Sequence, residues 1–212
     1  MFLPPVHAET DTAVLLQFIR ENPLGLLITG IKSSQNFLQC THVPFVLDTP
    51  EESTELAPKG RLRAHIAKKN PQVTAMIEGL ERKPSVLDIE DSVLVVFNGK
   101  HDHYVTPKYY GETKPDTGKV RSVMGYTGGK NPQPWTVSDA PEKYIEFMQR
   151  NIVGIEIRIE EIQGKFKMSQ EMKPGDREGV VAGFAQMGGE TGEAISRLVR
   201  QRGALHDLKT RK

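Results

Sequence analysis

Apolar residues recur at Val14, Leu15, Phe18 and Ile19 behind Thr10 and Asp11, a spacing that predicts an amphipathic helix capped by one of those two side chains and ended by Pro23. Leu24–Ile31 then reads as a buried strand, and Phe37–Leu47 as a second strand across a polar Ser-Ser-Gln-Asn turn. The stretch Asp48–Gly60, rich in Pro, Glu, Ser and Thr, predicts a solvated loop. In Arg61–Ala67 the pattern alternates, with Leu62, Ala64 and Ile66 on one side and Arg61, Arg63 and His65 on the other. Asn70-Pro71 opens a short helix through Gly79. Ser92–Asn98 gives a further strand, and a tight Asn98-Gly99-Lys100 turn leads to a shorter one at His103–Thr106.

In the second half, Ser138 is placed to cap a helix with Pro141 in its first turn and Tyr144, Ile145 and Met148 buried. Ile152–Ile162 alternates as a long strand, and Gln163-Gly164 turns into Lys165–Met168 as its expected antiparallel partner. Asp176 opens a final helical region whose last helix, Glu190–Arg202, buries Ala194, Ile195, Leu198 and Val199 and ends with Gly203 at the C′ position. Short strands with hairpin turns and helices at the edges predict an α+β fold built on an antiparallel barrel or sheet, with a helical C-terminus. Few strand signals fall between Thr106 and Ser138, where a closed barrel needs more wall.

Length and charge narrow the function classes. The 212 residues suffice for one domain with a proper core, and 37% hydrophobic with 26% charged residues describes an ordinary globular chain. A formal net charge of +1 supplies no strong field toward nucleic acid or membrane, and the basic tail Lys209–Lys212 reads as a chain end. One cysteine, Cys40, excludes an internal disulfide and fits a reducing compartment. The start MFLPPVHAETD lacks the basic beginning and apolar core of a secretory signal, and no apolar run reaches membrane-spanning length. The expectation is therefore cytoplasmic, with the nucleus left open.

Four histidines, His42, His65, His101 and His103, fall in or beside predicted strands, but their spacing carries no paired metal-ligand pattern, so polar pocket-lining is the simpler reading. Two segments, YVTPKYYGETK at Tyr104–Lys114 and GKFKMSQ at Gly164–Gln170, combine cations with hydroxyls and aromatics, the ingredients for an anionic phosphate joined to a flat ring. A charged strand edge has the same composition. No nucleophile elbow, Walker loop or dinucleotide glycine fingerprint is present, and Ser138 with Asp139 is better explained by capping than by catalysis.

The segments MFLPP, PLGLLIT (Pro23–Thr29), THVPFVLD (Thr41–Asp48) and GRLRAHIAKKNPQ (Gly60–Gln72) resemble, in order, the PaiB-like family of FMN-binding negative transcriptional regulators. So do VLVVFNGKHDHYVTPKYY (Val93–Tyr110), PWTVSDAPEKYI (Pro134–Ile145), NIVGIEIRIEEIQGKFKMSQ (Asn151–Gln170) and DREGVVAGF (Asp176–Phe184). The resemblance implies an FMN-binding split barrel over residues 1–212, related to pyridoxamine phosphate oxidase-like flavoproteins, in a homodimer with flavin near the subunit interface. By motif position it carries flavin contact to His42, His65, Lys68, His103, Tyr104, Thr106, Lys108, Lys167, Ser169 and Gln170, and it names no catalytic acid or base.

The family pattern breaks once. After Gly118-Lys119-Val120 the family continues with a Val-Pro-Thr-Trp-Asn-Tyr-like block, whereas Arg121 follows here and the pattern resumes near Met124–Gly129. The apparent deletion, at about residues 120–124, removes enough chain for two strands and part of a helix, and it exposes the apolar face they covered. Two functions compete: a flavin-dependent oxidoreductase or flavin-linked regulator, and a non-catalytic regulatory or interaction protein that has lost flavin. Haem held by His101 or His103 is a third reading. No basic recognition helix is evident, which argues against direct DNA binding.

Overall fold

Asp11 opens the first helix: its carboxylate accepts the backbone N–H groups of Ala13 (2.9 Å) and Val14 (3.4 Å), and α1 runs Thr12–Glu21 with Leu15 and Ile19 buried. The computed structural model describes residues 1–49, 59–81, 93–99 and 140–210. Their contacts form two compact units, Met1–Leu15 with Ile162–Lys212, and Leu16–Glu161. The predicted strand at His103–Thr106, the cap residue Ser138 and the seam at Val120-Arg121 lie outside the described residues.

In the Leu16–Glu161 unit, β2 (Leu24–Gly30) pairs antiparallel with both β3 (Leu38–Pro44) and β6 (Leu94–Phe97). Alternation sends Leu27, Thr29 and Val43 to a buried face, where α2 (Pro71–Glu81) packs. The Gln72 amide, 1% exposed, fixes that contact by donating to Thr29 Oγ1 (3.0 Å), Leu27 O (3.3 Å) and Gln39 O (3.4 Å). Gly25 shares this face because a Cβ there would press within 3.0 Å of Val95, Phe45 and Phe97. The opposite face carries Leu24, Leu26 and Ile28 in register with Cys40, His42, Leu94 and Val96, and is much less covered: Leu94 is 57% and neighbouring Leu38 70% exposed.

Phe45 is buried, donates its backbone N–H to Pro23 O and separates β3 from β4 (Val46–Asp48). A second antiparallel sheet follows in the order β4, β5 (Arg61–Ala67), β7 (Ile152–Arg158). Leu47, Leu62 and Ile157 align across its inner face, with Ile66 against Val153 two rows on, beyond Ala64 and Ile155. Gly60 enters β5 at φ +91°, where a Cβ would collide with Asp48 O, so only glycine fits. Among the described residues the architecture is α+β, with five helices and antiparallel sheets, none of which closes into a barrel.

Two sequence expectations change here. α3 (Glu142–Asn151) follows Pro141, whose carbonyl accepts from Tyr144 and Ile145 N–H. None of its residues is buried, and Tyr144 is 51% exposed. The anticipated hairpin after β7 does not form: β5 takes β7 as its neighbour, and β8 (Gly164–Lys165) pairs with β1 (Ala8–Glu9) in the other unit.

That unit is completed by α4 (Pro174–Met187) and α5 (Gly189–Thr210), joined through Gly188 and Gly189 at positive φ. Gly203 does not end α5 as the sequence suggested. It lies buried inside the helix because the Arg177 side chain crosses its bare Cα, and the helix continues far enough for Asp207 to take both terminal nitrogens of Arg177. A glycine that serves packing carries the same letter as one that serves a cap.

Candidate functional site

β5 puts its polar residues on the outer face of the second sheet, where a groove of about 490 Å³ opens between Pro44, Val46, Arg63, His65, Gly154 and Glu156. Register explains the opening. His65 stands opposite Gly154, and a Cβ at Gly154 would find nothing within 4 Å, so the β7 residue facing the imidazole adds no side chain over it. One layer along, Val46, Arg63 and Glu156 form the next row.

The groove's charges are partly committed. Asp48 accepts from Arg63 Nη2 at 2.7 Å and from Arg61 Nε at 3.0 Å, while Arg61 also reaches Glu156 at 3.2 Å. The Arg63 hydrogen bond, followed by that from Arg61, holds the Asp48 carboxyl below the usual range against the opposing effect of burial. Arg61 is correspondingly raised, first by its bond to Asp48. These arginines therefore act mainly on Asp48, and His65 and Lys68 are better placed to receive a ligand.

Lys68 follows β5 in a turn whose backbone is pinned: its N–H donates to Asn151 O at 2.8 Å while its side chain is exposed. Asn70 then caps α2 by accepting Gln72 N–H (2.9 Å) and ties the turn to β3 by donating to Thr41 Oγ1 (3.0 Å). Thr41 precedes His42, which is exposed on the outer face of the first sheet. The unit thus supplies His42, His65 and Lys68 from β3, β5 and the turn after β5, with His65 lining the groove and His42 beside it in sequence rather than within its walls.

The other unit holds Lys167, Ser169 and Gln170. Lys167 is exposed, and Ser169 sits half-buried at φ 56°, a left-handed backbone uncommon for a residue with a side chain. Gln170 is 4% exposed and fully engaged: its amide nitrogen donates to Val6 O (3.2 Å) and Phe166 O, and its oxygen accepts Met168 N–H at 2.6 Å. It shapes the loop that presents Lys167 and Ser169. His103, Tyr104, Thr106 and Lys108 lie outside the described residues, as do His101 and the haem reading attached to it. No group of three or more metal-ligating side chains occurs among the described residues.

His65, named from the motif, lines the groove, whereas Gly154 and the structural task of Gln170 were not visible in the sequence. Gly154 offered only the signal of an unexplained glycine in an alternating strand. The task of Gln170 needed the fold, since its partner Val6 is 164 positions away.

The donor set fits a phosphorylated flavin: accessible imidazole and ammonium groups suit an anionic phosphate and a ring edge, and the glycine-opened groove leaves room beside them. Comparison with known proteins points to the same cofactor. A family model described as "Putative FMN-binding domain" matches residues 1–128 and 119–161. A functionally uncharacterized protein of Aspergillus fumigatus is 45% identical, covering 99% of this chain and 100% of its own, and one of Emericella nidulans is 44% identical with the same coverage. The protease synthase and sporulation protein PAI 2 of Bacillus subtilis is 22% identical over 85% of this chain and 87% of its own. The chain belongs to the PaiB-like family of FMN-binding domains.

Proposed function

We propose that the chain binds FMN as a split-barrel homodimer of one domain per subunit, in the cytoplasm, and serves as a flavin-dependent oxidoreductase or a flavin-linked regulator. The observation that carries this reading is the groove at His65, left open by Gly154 and served by the pinned turn of Lys68. His65 and His42 supply neutral or cationic N–H donors, and Lys68 supplies the charge an FMN phosphate needs. Lys167 and Ser169 form a second donor set, and His103, Tyr104, Thr106 and Lys108 keep the roles the family motif gives them. Bound flavin would supply hydride or electron transfer through its ring, and the protein's task would be to orient it and limit water access.

A missing length of barrel wall near residues 120–124 belongs to the same proposal. It is supported by the family model's two overlapping matches, 1–128 and 119–161. The Aspergillus alignment extends over 261 positions against a chain of 212, leaving roughly fifty positions without a residue here. The half-covered outer face of β3, β2 and β6, with Leu38 and Leu94 exposed, is the kind of surface such wall would bury. The same face favours the second reading, a non-catalytic interaction protein whose flavin is lost and whose sheet is covered by a partner.

FMN titration of the purified chain, read by quenching of flavin fluorescence, separates the two. Saturable quenching that weakens in His65→Ala and Lys68→Ala supports the first reading. Absence of quenching at high micromolar FMN leaves the second.

A further inference from the structure

The loop that presents Lys167 and Ser169 has little support of its own. Around it, Phe166 N–H donates to His7 O at 2.9 Å, Gln170 donates to Val6 O at 3.2 Å, and His7 Nε2 meets Glu171 Oε2 at 3.1 Å. Lys165 and Gly164 pair with Ala8 and Glu9 as a two-stranded ladder. Glu9 in turn accepts from Arg202 of α5 at 2.5 Å, and the Arg202 guanidinium lies 3.3 Å over the Phe166 ring. The loop from Phe166 to Glu171 is therefore held from one side by residues 6–9 and braced through them to α5.

That matters because the loop contains an unfavourable conformation. Ser169 at φ 56° is sparsely populated for a residue with a Cβ and persists only where the surroundings impose it. The neighbours impose it through Gln170, whose amide is shared between Val6 O, Phe166 O and Met168 N–H, and through Met172 N–H donating to Ser169 O at 3.1 Å. His7 is 9% exposed, and its bond to the more exposed Glu171 closes the far end of the same loop.

We infer that the N-terminal segment Val6–Glu9 is a positioning element: it sets the Ser169 conformation, and through it the presentation of Lys167 and Ser169 to FMN. The inference rests on the flavin-binding proposal for its functional half. His7 and Gln170 act through the loop and do not themselves touch the ligand.

The test uses the full chain as wild type, His7→Ala, His7→Gln and Lys167→Ala, with two readouts. Hydrogen exchange of the 164–172 amides is measured without FMN, and FMN affinity is measured by fluorescence titration. Loss of the His7 bond in His7→Ala is expected to speed exchange in 164–172 by roughly tenfold, with β2 and α2 unchanged. FMN affinity should fall severalfold in His7→Ala and in Lys167→Ala, and His7→Gln, which keeps an N–H donor, should recover both readouts. Unchanged exchange in His7→Ala overturns the positioning role. Faster exchange with FMN affinity unaffected in both alanine variants overturns the link to flavin while leaving FMN binding itself intact. A wild type that binds no FMN defeats the flavin proposal, and with it the functional half of this one, while exchange still reports on the positioning.

Discussion

Replacing Glu9 with glutamine should destabilise the unit formed by Met1–Leu15 and Ile162–Lys212 by about 3 kcal/mol, near the low end of the range for breaking a buried ion pair. The Glu9 and Arg202 side chains are 8% and 13% exposed, and their closest approach is 2.5 Å. The Glu9→Gln amide keeps one oxygen to accept from Thr10 and Asp11 N–H, at 3.0 and 3.1 Å in the native protein. Its other end presents N–H to the guanidinium, so a buried positive charge loses its counter-ion. The ring of Phe166 remains beneath Arg202, so the cation keeps one favourable contact and is not wholly stranded, which places the estimate low in the range. Urea unfolding followed by circular dichroism measures the total, and hydrogen exchange across α5 locates it. The double replacement Glu9→Leu with Arg202→Met removes both charges and should lie much closer to wild type than Glu9→Gln does. A Glu9→Gln loss below about 1 kcal/mol would mean the pair behaves like an exposed one, and the bracing of residues 6–9 by α5 would be refuted.

Other consequences follow from the same contacts. Burial is the largest single influence on Glu9 and pushes its carboxyl up, but the bonds from Asp11 N–H, Arg202 and Thr10 N–H, with the charge of Arg202, together hold it below its ordinary value; Glu171, Asp48 and Asp207 are also lowered, first by hydrogen bonds from the Glu171 backbone, Arg63 and Arg177. Lowered folded values mean stability present at neutral pH and lost as pH falls through them, so Tm should hold down to roughly pH 4.5 and drop below it; a flat Tm to pH 3 would contradict this. Gly203→Ala forces a Cβ into Arg177 and should cost about 1–3 kcal/mol, whereas Gly179→Ala, on an open side of α4, should stabilise by up to about 1 kcal/mol; equal effects in thermal melts would undo the distinction. Gln72→Ala removes the amide that bridges α2 to β2 and β3 and should lower urea stability by about 2 kcal/mol or more, which a midpoint unchanged from wild type would deny.

Much of the fold was legible because it rests on local signals. Asp11 and Asn70 cap helices where their side chains predict, and alternation in Arg61–Ala67 places Leu62 and Ile66 inside with His65 on the groove. What was not legible is tertiary pairing. Lys165 lies seven residues beyond Arg158, yet it takes Ala8 as its partner rather than β7. Gly203 reads as a stop until Arg177 is seen crossing it. The site divides the same way: motif position indicates His65 and Lys68, but only register shows that Gly154 clears the space beside the imidazole. Gln170 carries a motif letter that suggested ligand contact, and its amide is consumed by Val6, Phe166 and Met168.

FMN binding at the groove of His65 is tested by titrating FMN into the purified full chain beside His65→Ala, with native mass spectrometry to identify the bound species and subunit count. The expected result is a saturable complex carrying one FMN per subunit and a loss of roughly tenfold or more in affinity for His65→Ala. Flavin fluorescence unchanged at high micromolar FMN, or equal affinity in the two proteins, would contradict it.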